Sequence, residues 1–246
     1  IKYVLLSHYH AVRVFGASAY QAQEILASRD TWDLIAERGE QDKASEIGRF
    51  PRLFRNAESI PPGLVWPSMT FQGEMTVNLG DLEVRLLQVG RGHTKGDTIA
   101  WLPEQKILFA GDLVEYQSTP YCGDAYFRDW PTTLDALAGF EAEKMVPGRG
   151  PALKNATEVR QALAGTRAFL TDLYGAVNRG VAQGKDLKTI YREVYDFMKP
   201  RYSDWVIFDH CMPFDVSRAY DEASGIVDPR IWTDKRDLEM WQQLEG

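Results

Sequence analysis

"LLSHYHAVRVFGASAY", residues 5–20, ends an apolar run and leads into small residues of helical character, and it sets His8 and His10 two positions apart. In an extended segment the side chains at i and i+2 point to the same side, so two imidazoles at a strand end can address one point. A helix does not allow this. A bare His-x-His is equally at home in a turn or on a surface, so its meaning depends on what the rest of the chain offers. His93 lies among glycines in "VGRGHTKGD", residues 89–97, a loop whose backbone can turn sharply and approach a site closely. "ILFAGDLV", residues 107–114, ends an apolar strand with Gly111 and Asp112, where a carboxylate emerges at the rim of a sheet or caps a turn. His8, His10, His93 and Asp112 together offer three imidazoles and one carboxylate, a donor set that suits zinc or iron.

Composition narrows the field. A chain of 246 residues, 44% hydrophobic and 26% charged, is long enough for one large domain or a domain with an extension. The formal charge of -7, with basic residues scattered singly, argues against a nucleic-acid surface and leaves room for a local site for a small anion. No apolar run approaches the ~20 residues of a membrane helix, so no membrane partner is expected. Cys122 and Cys211 make neither a disulfide framework nor a CxxC pair. The chain opens on Ile1 rather than methionine, which suggests that upstream sequence is absent, and a cytoplasmic address is favoured over a periplasmic one. A homodimer stays open as an assembly.

The order of elements reads as α/β. "IKYVLLS" predicts a strand, "GASAYQAQEILAS" (16–28) a helix, and "TWDLIAERGE" (31–40) a second helix. Residues 50–67, with four prolines, predict a surface connection. "MTFQGEMTVNLGDLEVRLLQVG" (69–90) and "DTIAWLPEQKILFAGDLV" (97–114) predict antiparallel strands, followed by a helix at "WPTTLDALAGFEAE" and a short strand at "KMVPG". Helical patterning dominates after Thr157, in segments beginning near Val159, Asp186 and Phe214, which places a boundary near residue 155: 1–155 strand-rich, 156–246 a helical extension.

At these residues the chain resembles the metallo-β-lactamase superfamily, in its glyoxalase-like and sulfur-oxidation-associated branches. "SHYHAVRV" matches the family's HxHxDH loop, "GHTKGD" its Gly-His-Thr loop, "LFAGDLV" its Gly-Asp strand end and "MVPGRG" its Pro-Gly-His-Gly loop. The resemblance implies a four-layer αββα sandwich with a metal site at one edge, and several strands ahead of the HxH loop where this sequence shows one, so the others are expected either upstream of Ile1 or replaced by an unusual completion of the sheet. It also exposes three departures: Val12 and Arg13 stand where the family carries Asp and His, and Arg149 where it carries His. All three fall on the second of the family's two metal positions, so one zinc, or one iron, is expected, held by His8, His10 and His93 with Asp112 able to join or bridge as a ligand. A guanidinium cannot ligate a cation but supplies fixed positive charge and a fork of donors. Arg13 and Arg149 are therefore candidates either for clamping an anionic substrate or for pairing with Asp112.

Thr94 and Asp97 are candidates to steady an imidazole, and His210, next to Cys211, for a ligand or proton carrier. Tyr116, Tyr121, Tyr126, Phe127 and Trp130 are candidates for a pocket wall or for core. The function this implies is hydrolysis of an ester, lactone, thioester or amide of a small anionic molecule, with Asp112, Arg13 and Arg149 as catalytic groups. Two alternatives stand beside it, a mononuclear iron thiol or persulfide dioxygenase and a non-catalytic anion-binding or sensor module.

Overall fold

The opening apolar run forms β1 (Tyr3–Leu5) in a computed structural model that describes residues 1–58 and 60–245. The histidine loop then enters a one-turn helix α1 (Ala11–Val14) and a 3₁₀ segment (Phe15–Tyr20) before β2 (Glu24–Ser28). The helix predicted over 16–28 is thus replaced by a 3₁₀ segment and a strand. Ile25 and Ala27 point to one side of β2 and Leu26 to the other, and both sides are covered, so the strand reads as an unbroken apolar run. Ser28 caps the next helix, α2 (Arg29–Arg49), accepting from the Thr31 amide at 3.1 Å. Within the proline-rich connection lies a single helical turn, α3 (Pro51–Phe54).

Two sheets follow from these and the later strands. β3 (Met69–Phe71) joins β1 and β2 in the order β1-β2-β3, all parallel, so its predicted place in the antiparallel run is corrected. β4 (Glu74–Leu79), β5 (Leu82–Leu87), β6 (Ile99–Leu102) and β7 (Ile107–Gly111) form the antiparallel meander, and β8 (Lys144–Pro147) adds parallel to β7. Alternation along the strands sorts the side chains into layers. Val4, Ile25 and Ala27 pack on α2; Leu5, Leu26, Phe71, Val84 and Ala100 meet between the sheets; Ile99, Trp101, Leu108 and Ala110 face the later helices. The result is α2, sheet, sheet, helices: the expected αββα order. The inter-sheet layer is not filled at one end, where a trough of about 580 Å³ lies against Phe109 and Val146, 43% and 37% exposed.

The outer helical layer consists of α4 (Trp130–Ala138), α5 (Ala156–Ala182), α6 (Leu187–Tyr202) and α7 (Phe208–Ala223), with α8 (Asp234–Glu245) added beyond the predicted elements. Asn155 and Asp186 cap α5 and α6 through their side chains. One hydrophobic cluster runs from β6, β7 and α4 into α5, α6 and α7, so apolar packing continues across residue 155. No helix among the described residues is long and apolar enough to cross a membrane.

Candidate metal centre

Four chain segments deliver the site, each at the C-terminal end of a strand. His8 and His10 follow β1, His93 follows β5, Asp112 follows β7 and Arg149 follows β8. Two glycines make the approach possible. Gly111 turns the chain out of β7 at φ +55, and a Cβ on Gly148 would stand 2.5 Å from Asp112 Oδ1.

The three histidines are buried and offer nitrogens that all lie within 4.8 Å of one another. His10 Nδ1 and His93 Nε2 face each other at 2.9 Å, while His8 Nε2 is buried without a hydrogen-bond partner among the described residues. The remaining nitrogen of each ring is tied elsewhere: His8 Nδ1 to Ser7 Oγ at 3.0 Å, His93 Nδ1 to the Tyr121 carbonyl at 2.8 Å, and His10 Nε2 to Asp124 Oδ2 at 2.8 Å. Such outer contacts fix ring orientation and tautomer, the usual support of metal-binding imidazoles. An orphaned buried nitrogen is costly unless something fills its lone pair, so these residues fit a metal ion. Burial, reinforced by neighbouring positive charge, holds His8 and His93 well below the usual histidine range, in the neutral form that ligates. Burial also depresses His10, but the hydrogen bond and charge of Asp124, with Asp42 and Asp112, raise it overall.

Asp112 lies beside the triad, its Oδ2 3.9 Å from His8 Nε2 and 3.7 Å from His93 Nε2. Both arginines reach it. Arg13 Nη2 donates to Asp112 Oδ1 at 2.5 Å and to the Gly148 carbonyl at 3.0 Å; Arg149 Nη1 donates to Asp112 Oδ2 at 2.9 Å and to Glu115 Oε1 at 2.7 Å. Burial pushes the Asp112 carboxyl up, and His93 with the two guanidiniums more than reverses this, leaving it below the ordinary carboxylate range. Glu115 goes the other way, raised well above its ordinary value by burial and by Asp112. Two guanidiniums therefore converge on Asp112, and one of them also holds Glu115.

Other candidates separate from the triad. Asp97 holds no imidazole; it accepts from the Thr94 amide at 2.9 Å and hydroxyl at 2.6 Å, and burial raises it to about 7. Thr94 thereby braces the loop that carries His93. His210 is not among the clustered donors; it stands on α7 against Phe50 and Phe214, with ring centroids 5.9 and 5.7 Å away. Cys211 is a buried thiol, pushed well up by burial. Of the aromatic candidates, Tyr121 walls a cavity beside His10, whereas Trp130 is fully buried and donates to the Leu113 carbonyl at 3.0 Å. Phe127 stacks on Tyr174, Tyr126 meets Asp228, and Tyr116 packs on the main core. Val12 lines the cavity beside His10, but Arg13 lines the inter-sheet trough.

Asp124 was not foreseen, and its neighbourhood supplies two predictions. Its Oδ2 also accepts from Tyr9 Oη at 2.7 Å, and Arg38 stands 3.5 Å from Oδ1. The Asp124→Asn variant should bind metal about 10- to 100-fold more weakly, by competition with a chromophoric chelator. Unchanged affinity would mean that other contacts orient His10. The second prediction concerns Asp42, which accepts from the Ala11 amide at 2.5 Å and is raised from 3.8 to about 6, chiefly by burial. A folded-state pKa above the unfolded value means that the native state binds the proton more tightly, so stability falls as pH rises from 3.8 through about 6. Melting of the chelated protein should show this fall, and Asp42→Asn should remove it. An identical pH profile for the two proteins would assign the dependence elsewhere.

A family model described as the metallo-beta-lactamase superfamily matches residues 1–149. The metallo-beta-lactamase type 2 of Bacillus cereus is 26% identical over 152 residues, covering 60% of this chain and 51% of that protein. A linear primary-alkylsulfatase of Pseudomonas sp. (strain ATCC 19151) is 20% identical over 219 residues, covering 75% of this chain and 40% of that protein. Among solved structures, the stereoselective inverting sec-alkylsulfatase Pisa1 from Pseudomonas sp. superposes with a TM-score of 0.67 at 16% identity, over 90% of this chain and 41% of that one. At that coverage the shared fold takes in most of the helical layer. The chain spans about half the length, or less, of the curated relatives it matches. With the αββα layers, the three converging histidines and a family match over the first 149 residues, this chain belongs to the metallo-beta-lactamase superfamily.

Proposed function

We propose that the chain is a hydrolase that works with a single zinc ion and cleaves an ester, lactone, thioester or amide of a small anionic molecule. Likeness to an alkylsulfatase adds sulfate esters to the esters in question. The observation that carries the proposal is the convergence of three imidazoles, each with its outer nitrogen anchored, around a buried and partnerless His8 Nε2. Three nitrogen donors and an open position are a catalytic zinc set. His8 and His93 would hold the ion through Nε2 and His10 through Nδ1. A zinc ion held there supplies a Lewis acid and a water activated near neutral pH.

The chain's own groups do the rest. Asp112, kept ionised by Arg13 and Arg149, accepts a hydrogen bond from the nucleophilic water and orients it; its lowered pKa makes it an orienting group rather than a strong base. The two arginines support work with one ion, because their charge stands where a second cation would otherwise balance Asp112. For an iron oxygenase the facial triad would be two histidines and Asp112. Engagement of both Asp112 oxygens by guanidinium, with a third imidazole available, favours the zinc reading over that one.

Elemental analysis of protein purified without added metal or chelator should give close to one zinc per chain. The zinc-loaded protein should turn over at least one class in a panel of carboxylic esters, lactones, thioesters, amides and sulfate esters. Two tightly held metals per chain would overturn the single-ion mechanism, and iron with dioxygen uptake would select the oxygenase. No metal after careful reconstitution would leave the anion-binding module.

A further inference from the structure

A cavity of about 300 Å³ opens beside His10, with Phe50, Tyr121, Ile207 and Trp232 forming an apolar wall. Two guanidiniums also line it. Arg149 is engaged by Asp112 and Glu115, whereas Arg49, in the last turn of α2, makes a single hydrogen bond among the described residues, from Nη2 to Glu46 Oε1 at 2.5 Å. Its Nε is buried and has no acceptor among the described residues. The guanidinium carbon sits 5.9 Å from the Phe50 ring centroid and 5.3 Å from that of Phe214, contacts that hold the plane and shed water from it. Of the two acids on the wall, Glu46 is the partner of Arg49 and Asp42 is bound to the Ala11 amide. Both guanidiniums keep donors to give, but Arg149 faces two carboxylates whereas Arg49 faces one, so Arg49 is the lining cation with the less compensated charge.

A second observation comes from the apolar wall itself. Ile207 lies at φ +62 and ψ +18, in the left-handed region that a β-branched residue strongly resists. Strain of this kind is retained where the surroundings require a side chain in one place, and here it sets an apolar group on the cavity wall.

We infer that this cavity binds an amphiphilic monoanion, an oxyanion head on a short apolar body, with Arg49 anchoring the head and the Phe50, Ile207 and Trp232 wall taking the body. A guanidinium with unmatched donors recognises carboxylate or sulfate through paired charge-assisted hydrogen bonds, which a neutral head cannot supply. That the bound molecule is the substrate rests on the hydrolase proposal above; that it binds does not.

Isothermal titration calorimetry with hexyl sulfate, hexanol and hexylammonium, on zinc-loaded and on chelated protein, tests the assignment. Hexyl sulfate should bind at least about tenfold more tightly than hexanol, and hexylammonium more weakly than either. Arg49→Gln should erase the margin for hexyl sulfate and leave hexanol within about twofold, while Ile207→Gly should weaken both together. Should the glutamine variant fail to fold, Arg49→Lys, which keeps the charge and loses the fork, should still narrow the margin several-fold. Equal affinity for hexyl sulfate and hexanol, or an unchanged margin in the Arg49 variants, overturns the inference. Binding that persists in chelated protein supports it even if no zinc is found, whereas binding that requires the metal overturns Arg49 as the anchor.

Discussion

Replacing His8 by leucine is expected to abolish metal binding and raise the melting temperature of the chelated protein at the same time. Three imidazoles make up the nitrogen donor set, and two cannot hold zinc at the affinity of three. Loss of an outer partner alone costs about 10- to 100-fold in metal affinity or activity, so loss of a ligand should exceed that range. His10→Ala and His93→Ala should likewise purify with less than about a tenth of the parent's metal, and hydrolysis should fall by about a thousandfold or more. What separates His8 is its stability effect. His8 Nε2 is buried without a partner, and an unsatisfied buried polar atom costs about 1–3 kcal/mol. Leucine removes that penalty and fills much of the same volume. His10 and His93, whose inner nitrogens are within hydrogen-bond distance of each other at 2.9 Å, offer no such gain, whereas leucine at position 8 gives up only the bond of His8 Nδ1 to Ser7 Oγ. Thermal melting beside elemental analysis decides the matter: a His8→Leu protein that loses metal and also melts lower would make His8 a packing residue, not a ligand held ready.

The candidate donors that the fold brings together were legible from the chain; the residues that reach them through distant contacts were not. His8, His10, His93 and Asp112 each stand beside a glycine or at a strand end, and the fold brings them to one place. Asp124 gave no such sign. Its bond to His10 spans 114 positions, and an aspartate in "YCGDAY" looks like any turn residue until the fold sets it against the ring. The same holds for the Tyr121 carbonyl that orients His93, since a backbone oxygen leaves no mark in a sequence. Arg49 was hidden in a polar helix, and what distinguishes it is the ring of Phe214, from an element folded much later in the chain.

The misread element has a related cause. "GASAYQAQEILAS" carries alanine and glutamine at helical frequency, but Ile25, Leu26 and Ala27 are covered on both sides of a parallel sheet, where alternation disappears. Tertiary covering overrode local propensity. Helix α8 was missed for the opposite reason. Most of its residues are polar, and a few contacts such as Met240 and Leu244 against the cluster of Phe214 and Trp232 hold it in place.

The combined change Val12→Asp, Arg13→His and Arg149→His is expected to recruit a second zinc, and none of the single changes is. Asp112 is almost fully buried, and both its oxygens accept from guanidinium. Arg149→His alone removes one of those cations and strips Glu115 of its partner as well, and breaking a buried charge pair in this way costs about 3–5 kcal/mol. Arg13→His alone leaves Arg149 on the carboxylate, so a second ion would meet a positive charge already in place. Each single variant should therefore bind one zinc, melt lower than the parent and hydrolyse more slowly. The triple variant removes both cations and adds one carboxylate and two imidazoles, so Asp112 is left with an uncompensated charge that a divalent ion can balance. Position 12 lines the cavity beside His10 whereas position 13 lines the inter-sheet trough with Asp112, so the added ligands start from two different cavities. Calorimetric titration of chelated single and triple variants with zinc reads the stoichiometry directly. A second tight equivalent in Arg13→His alone would show that the two arginines do not jointly replace a metal charge, and the single-ion mechanism would lose its electrostatic basis.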